Sequence, residues 1–413
     1  MLAAYSISSN QWSDKSLITY SIPSDGVFWY SGVNQMNSVL SSQLGSDWQK
    51  VVAEVFDKWT RSADIDIAQV PDKGGDGDYQ AASQGASQFG DIRIGGFSFN
   101  ENPLRVLAMT SSPPPDGWTR AGDVQINLDN NWTDGGAYDF RTVLLHELGH
   151  SLGLDHVSDT GSIMFDRYAG VRRDLQTCDI EGIQAIYGHR REDSFTRSGQ
   201  GTSNFNPIQM QPPALGQRTS QTGKMELASS GATDYFQVTI PSGFTGTSLI
   251  VKASATGVSM LSPALIQVDS SGNVIQRISS PGQWGGSGSL NLGLVQPGQS
   301  FYFRVEAAEL GRFDIGGYNF SLNYIGGQVP SVPPPVVTPP PNVPAIPPVV
   351  PPTPPVVQPP VTPTPPVSIP SPRPVVTRPQ PVPRGLGNIL RNLGLGRRAK
   401  PQPRRSANQA RVS

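Results

Sequence analysis

Along the first 190 residues the apolar positions switch between two periods. Residues 16–22, SLITYSI, alternate apolar and polar side chains and carry β-branched residues, as a half-buried strand does. In SDWQKVVAEVFDKWT, Trp48, Val51, Val52, Val55, Phe56 and Trp59 recur at helical spacing, and Ser46 with Gln49 has the form of a capping box at the helix start. IDIAQV, DIRIGG, RVLAMT and DVQINL read as short strands separated by Gly, Pro and Asp clusters. Asp139 is placed to cap a second helix through FRTVLLHELGHSL, which Gly153 interrupts. In DIEGIQAIYG, Ile180, Ile183, Ile186 and Tyr187 share one face and predict a third helix. This alternation predicts one α/β domain over residues 1–190.

Beyond it the texture changes. Residues 191–218 are polar and irregular, which suits a linker. Over 219–326, DYFQVTI, SLIVKAS, ALIQVDSSGNVIQRI, FYFRVEA and YNFSLNY are strands with turns at SSGN and QPGQ, and with no helical period among them they predict an all-β sandwich. About 25 residues from Pro330 to Pro383 are proline, so 327–384 reads as a stiff polyproline II spacer. The end, 385–413, is basic and broken by glycine, and reads as disordered.

Composition sharpens this division. The hydrophobic fraction of 36% is low because 44 glycines and 40 prolines are unevenly spread. The formal net charge of -1 hides an asymmetry: after Asp314 there are ten Lys or Arg and no acid, and without those ten the rest carries -11. A basic end behind a proline spacer suits electrostatic contact with an anionic cell-envelope polymer or lipid surface. It does not suit specific nucleic-acid binding, because no aromatic residue accompanies the charges after Tyr324. The single cysteine, Cys178, excludes an internal disulfide and multi-cysteine metal sites, and reads as a small buried apolar residue. MLAAYSISSNQW lacks the basic and apolar regions of a signal peptide, and no apolar run approaches 20 residues, so no transmembrane segment is expected.

Three of the four histidines fall within residues 146–156, in HELGHSLGLDH. His146 and His150, four apart on a helix, project from one face and can share a metal ion. Three imidazole ligands favour zinc and leave a fourth position open, as a catalytic site requires. The third ligand is His156. A continuing helix would carry it away, so the chain must turn, and Gly153 tolerates the left-handed backbone of a sharp turn. Glu147 is then free to face the open position and act as general base on a water that the zinc acidifies. His189 reads as a solvated histidine outside the site.

This HELGHSLGLDH run, followed by the methionine of GSIMFD, resembles the metzincins and in particular the matrixins. QWSDKSLITYSI, GDIRI, RVLAM, GDVQINLDNNW and DIEGIQAIYG are similar to further matrixin segments, over residues 11–188. The resemblance implies a zincin-like α/β catalytic domain with a twisted mixed sheet and three helices. It further implies a metalloendopeptidase of secreted or cell-surface location, with His146, His150 and His156 as zinc ligands and Glu147 as general base. Met164 becomes the Met-turn residue, and Leu107 and Ala108 lie on an edge strand that pairs with an extended protein or peptide substrate. Asp91 and Asp123 match one calcium site, whereas Asn127 and Asn130 replace the carboxylates of another. Met109 and Gln125 stand where the histidines of a second, structural zinc site would be, and no cysteine-bearing propeptide precedes the domain. Tyr168 either approaches the metal or packs beside it. The strand texture of 219–326 is similar to small pre-peptidase-type β-sandwich domains of secreted bacterial proteases. A competing reading is an envelope adhesion or polymer-binding protein with a vestigial metal site.

Overall fold

The computed structural model describes residues 5–325 apart from 17, 30–31, 76–83, 86–87, 101–105, 115–117, 212–218 and 243–247. The spacer and basic end expected over 327–384 and 385–413 lie outside the described residues.

The N-terminal part opens with β1 (Ile18–Ser21), the small pair β2 (Phe28–Trp29) and β3 (Gly32–Val33), and helices α1 (Met36–Leu44) and α2 (Trp48–Ser62). There follow β4 (Ile67–Gln69), β5 (Ile92–Phe97), β6 (Ala108–Thr110), β7 (Val124–Asn127), α3 (Phe140–Ser151) and α4 (Thr177–Tyr187). The sheet order is β4-β1-β5-β7-β6, parallel except for β6, which runs antiparallel on the edge. This is the mixed sheet that the resemblance implies, with four helices among the described residues, α1 to α4, where three were expected.

Helix α3 is buried nearly all round, so its apolar residues form no single stripe. Trp59 of α2 packs on it and donates its indole N–H to Leu145 O at 3.2 Å. Asp139 caps α3 as predicted, its Oδ1 accepting from Thr142 N at 2.8 Å. Two local expectations are corrected. The Ser46–Gln49 capping box does not form: Asp47 is the N-cap of α2 without a side-chain cap bond, and Gln49 instead donates to Asn37 Oδ1 at 3.2 Å. That partner belongs to α1, which the polar-rich segment MNSVLSSQL conceals because only Met36 and Leu40 are buried.

The stretch read as a linker carries structure. It holds α5 (Ser194–Arg197) and β8 (Ile208–Met210), whose buried Ile208 and Met210 join a second core. Strands β9 (Thr219–Gln221), β10 (Met225–Leu227), β11 (Thr233–Thr239), β12 (Ser248–Ala255) and β13 (Pro263–Val268) follow. The last are β14 (Val274–Ile278), β15 (Ser287–Asn291), β16 (Ser300–Ala307) and β17 (Gly316–Ile325). They form two five-stranded sheets, β14-β13-β16-β11-β8 and β10-β17-β12-β15 with β9 also on β17. Alternate residues of β11, β12 and β17 point inward, and Phe236 stacks on Phe320 at 4.0 Å between the sheets.

The two parts share a junction. Met260 and Phe313 belong to the core of the N-terminal part, with Trp284 packed against it. Arg190, 5% exposed in its side chain, lies between Asp66 at 3.0 Å and Glu226 at 2.5 Å, and Lys224 also reaches Asp66 at 2.7 Å. A buried arginine is tolerated here because two carboxylates and the Thr60 and Ile65 carbonyls accept from its two Nη groups.

Candidate metal centre

The helix period of α3 sets His146 and His150 one turn apart on the same face. The helix then stops, because Gly153 at φ 101° turns the chain and its missing side chain leaves room for Asn10 O, which a Cβ would meet at 2.8 Å. Residues 6–8 lie along the turn: Ser8 N donates to Gly153 O at 2.8 Å and Asp155 N donates to Ser6 O at 3.0 Å. The turn returns His156 to the other two rings.

The three Nε2 atoms stand 3.1 Å (His146 to His150), 3.2 Å (His146 to His156) and 3.2 Å (His150 to His156) apart. His146 Nδ1 donates to Ile163 O at 2.7 Å and His150 Nδ1 donates to Leu154 O at 2.7 Å. A carbonyl only accepts, so in the neutral rings each of these protons sits on Nδ1, and the Nε2 lone pairs of both rings face inward. Convergent lone pairs at such distances repel unless a cation lies between them. The separations also fit the edges of a tetrahedron of roughly 2.0–2.1 Å zinc–nitrogen bonds. The residues present therefore fit zinc, and among the described residues they are the one group of three or more His, Cys, Asp or Glu able to hold an ion.

Met164 lies under this helix. A Cβ on Gly149 would sit 2.3 Å from its sulfur, so the glycine between the two helical histidines is what admits the methionine. The turn that carries Met164 is tied to α4: Asp179, buried, accepts from the Ser162 hydroxyl and, at 3.1 Å, from Ile163 N, while Ser162 Oγ accepts from Met164 N at 2.9 Å.

Glu147 is fully buried, and its Oε2 accepts from the Thr110 hydroxyl at 2.6 Å. Thr110 ends the edge strand. Leu107 O accepts from Asn127 N at 3.0 Å and Ser111 N donates to Asp123 O at 3.0 Å, so alternation turns the backbone groups of Ala108 and Thr110 outward at the free edge. Leu107 and Ala108 themselves have buried side chains. A cavity of about 200 Å³ beside the trio is lined by Ser8, Thr110, Ser112, His150, Asp155 and His156 among others.

A second, small cavity of about 10 Å³ lies under His146, bounded by Thr142, Val143, Ile163, Phe165 and Arg172 among others. Tyr168 lines it, but its phenolic oxygen accepts from Asp139 N at 3.0 Å, so its hydroxyl serves the α3 cap.

Residues 29–188 match the family model described as matrixin. This segment is a matrixin-like metzincin domain. Karilysin of Tannerella forsythia is 35% identical over 95 residues, which are 23% of this chain and 20% of that protein. Human neutrophil collagenase is 40% identical over 92 residues, 21% of this chain and 19% of its own. Rat matrilysin is 38% identical over 97 residues, 22% of this chain and 35% of its own. The chain thus spans between a fifth and about a third of the length of these relatives.

The remaining expected site residues of the matrixin-like domain fall elsewhere. Asp91 Oδ2 accepts from Thr19 N at 2.9 Å and from its hydroxyl at 2.8 Å, and burial pushes the Asp91 carboxyl upward despite these bonds. Asp123 Oδ1 accepts from Arg93 N at 2.7 Å. Both carboxylates are engaged in joining strands, and neither belongs to a metal-holding group of three among the described residues. Met109 and Gln125 face each other across β6 and β7. His189 is exposed and outside the trio. Thr110, Ser162 and Asp179 are the polar partners that sequence reasoning passed over. Asp179 had one signal, its position three residues after Gln176, with which it forms the capping box of α4.

Proposed function

We propose that the chain is a zinc-dependent endopeptidase, with His146, His150 and His156 holding the metal and Glu147 acting as general base on extended segments of secreted or surface-exposed proteins. The observation that carries this reading is the convergence of three imidazole Nε2 atoms at 3.1–3.2 Å beside a buried glutamate. Zinc held there supplies Lewis acidity, which eases deprotonation of water near neutral pH and polarises a carbonyl.

The chain's own residues supply the rest. The outward backbone groups of Ala108 and Thr110 offer a peptide the ladder of a sheet edge, which recognises main chain with little demand on sequence. Because Thr110 also donates to Glu147, the strand that holds the peptide orients the base. Glu147 takes one proton from the attacking water and returns it to the departing amine, so no covalent intermediate with the protein is needed. Ile163 O and Leu154 O keep two histidines in the tautomer that binds metal.

The test is mass-spectrometric mapping of cuts in a peptide library by the full chain, beside Glu147→Ala. Cuts that a chelator abolishes, that zinc restores and that the variant lacks are expected. Equal cutting by the variant would remove Glu147 from the mechanism, and no cutting by zinc-loaded parent would remove the peptidase reading.

A further inference from the structure

The loop between β16 and β17 reaches back to the matrixin-like domain. Arg312 Nη1 donates to Glu54 Oε1 at 2.8 Å, and Arg312 Nη2 donates to Glu309 at 3.1 Å. The other oxygen of Glu54 accepts from Arg141 on the first turn of α3. Arg141 also faces Asp134 at 3.5 Å, and Asp134 is shared with Arg173. Arg173 then donates to Asp139 Oδ2 at 2.7 Å, and Asp139 is the N-cap of α3. One residue earlier, Arg172 N donates to Thr142 Oγ1 at 2.8 Å and its guanidinium donates to Ser162 O at 2.7 Å, in the turn that carries Met164.

Glu54 therefore links the β16–β17 loop to the helix of the metal ligands. The segment steadied at the far end of this chain of charges, residues 165–172, walls the small cavity under His146. A cleft of about 280 Å³ is lined by Glu54, Arg141, Leu145, Arg312 and, next along the chain from that wall, Arg173 and Asp174, among others. The Arg312–Glu54–Arg141 pairs thus add to the Arg172–Thr142 bonds in tying residues 171–174 to the start of α3.

We propose that Arg312 is a positioning residue for the substrate-side wall: through Glu54 and Arg141 it orders the start of α3 and residues 171–174, and so sets how the cavity under His146 accepts a side chain. This rests on the peptidase reading for its functional part. Apart from the buried cap Asp139, the groups of the network are partly exposed, so losing Arg312 leaves the fold and the zinc trio intact while loosening the wall.

The test compares full-length, zinc-loaded parent, Arg312→Ala, Glu54→Gln and Arg312→Lys. Amide hydrogen exchange of residues 140–143 and 171–174 is expected to quicken by about threefold to tenfold in Arg312→Ala and Glu54→Gln, with one zinc per chain retained and Arg312→Lys near the parent. On peptides that differ only in the residues flanking the cut, KM should rise by a similar factor with kcat little changed, and the preference among those peptides should flatten. Unchanged exchange at both segments in Arg312→Ala overturns the proposal, as does slower turnover with the parent's KM and preference. If the parent cuts nothing, the peptidase reading fails, while exchange still decides whether Arg312 orders the wall.

Discussion

Thr110 shows how much of the site rests on a single hydroxyl. Its bond to Glu147 at 2.6 Å is the link between the edge strand and the carboxylate. Thr110→Val keeps the shape and removes the donor. Zinc content is expected to stay at one per chain, while kcat/KM on a peptide falls by roughly tenfold or more, the usual scale for a lost outer partner. Undiminished turnover would mean the carboxylate needs no such tether. The pairing of His146 with His150 was legible in the sequence because the helix period fixes which residues share a face. Thr110 was not, since nothing in RVLAMT tells which way a threonine at a strand end points. Ile163 O and Leu154 O were illegible too, because every residue has a carbonyl and only the fold selects one.

At the scale of elements, the seat of α3 on the methionine turn is tight. Gly149→Ala places a methyl group against Met164 Sδ at 2.3 Å and Trp59 Cζ2 at 3.2 Å. Overpacking of this kind costs about 1–3 kcal/mol, more than the helix propensity of alanine returns. Urea denaturation with zinc present should show that loss, and weaker zinc retention against a chelator should accompany it. Long periodic elements were readable: α2 and α4 lie where apolar spacing put them. Helix α1 was missed because it buries only two residues and so prints almost no period. Strand β8 was missed because three residues amid polar sequence carry no alternation, and its place is decided by a partner, β11, more than twenty residues on.

For the whole molecule, the junction contains a titrating group. Asp57 of α2 is 2% exposed, and its Oδ1 accepts from Phe313 N at 3.1 Å. Burial pushes its carboxyl up to about 7, aided by Asp314 and opposed by the Phe313 amide, Arg61 and Lys58. An unfolded aspartate titrates near roughly 3.9, so folding favours the protonated form of Asp57. Its contribution to stability is complete below about pH 4 and is lost as pH rises through about 7. At saturating zinc, the parent is expected to lose more stability between pH 5 and pH 8 than Asp57→Asn, which can still accept from Phe313. Equal slopes in urea titrations of the two proteins would show that Asp57 is charged throughout.

Arg190 carries the last consequence. Its guanidinium draws on Asp66 from one part of the chain and Glu226 from the other, and neither part can melt first without stranding a desolvated ion. Calorimetry should accordingly record a single endotherm for residues 5–325, where beads on a string would give two, and Arg190→Met should split or broaden that peak.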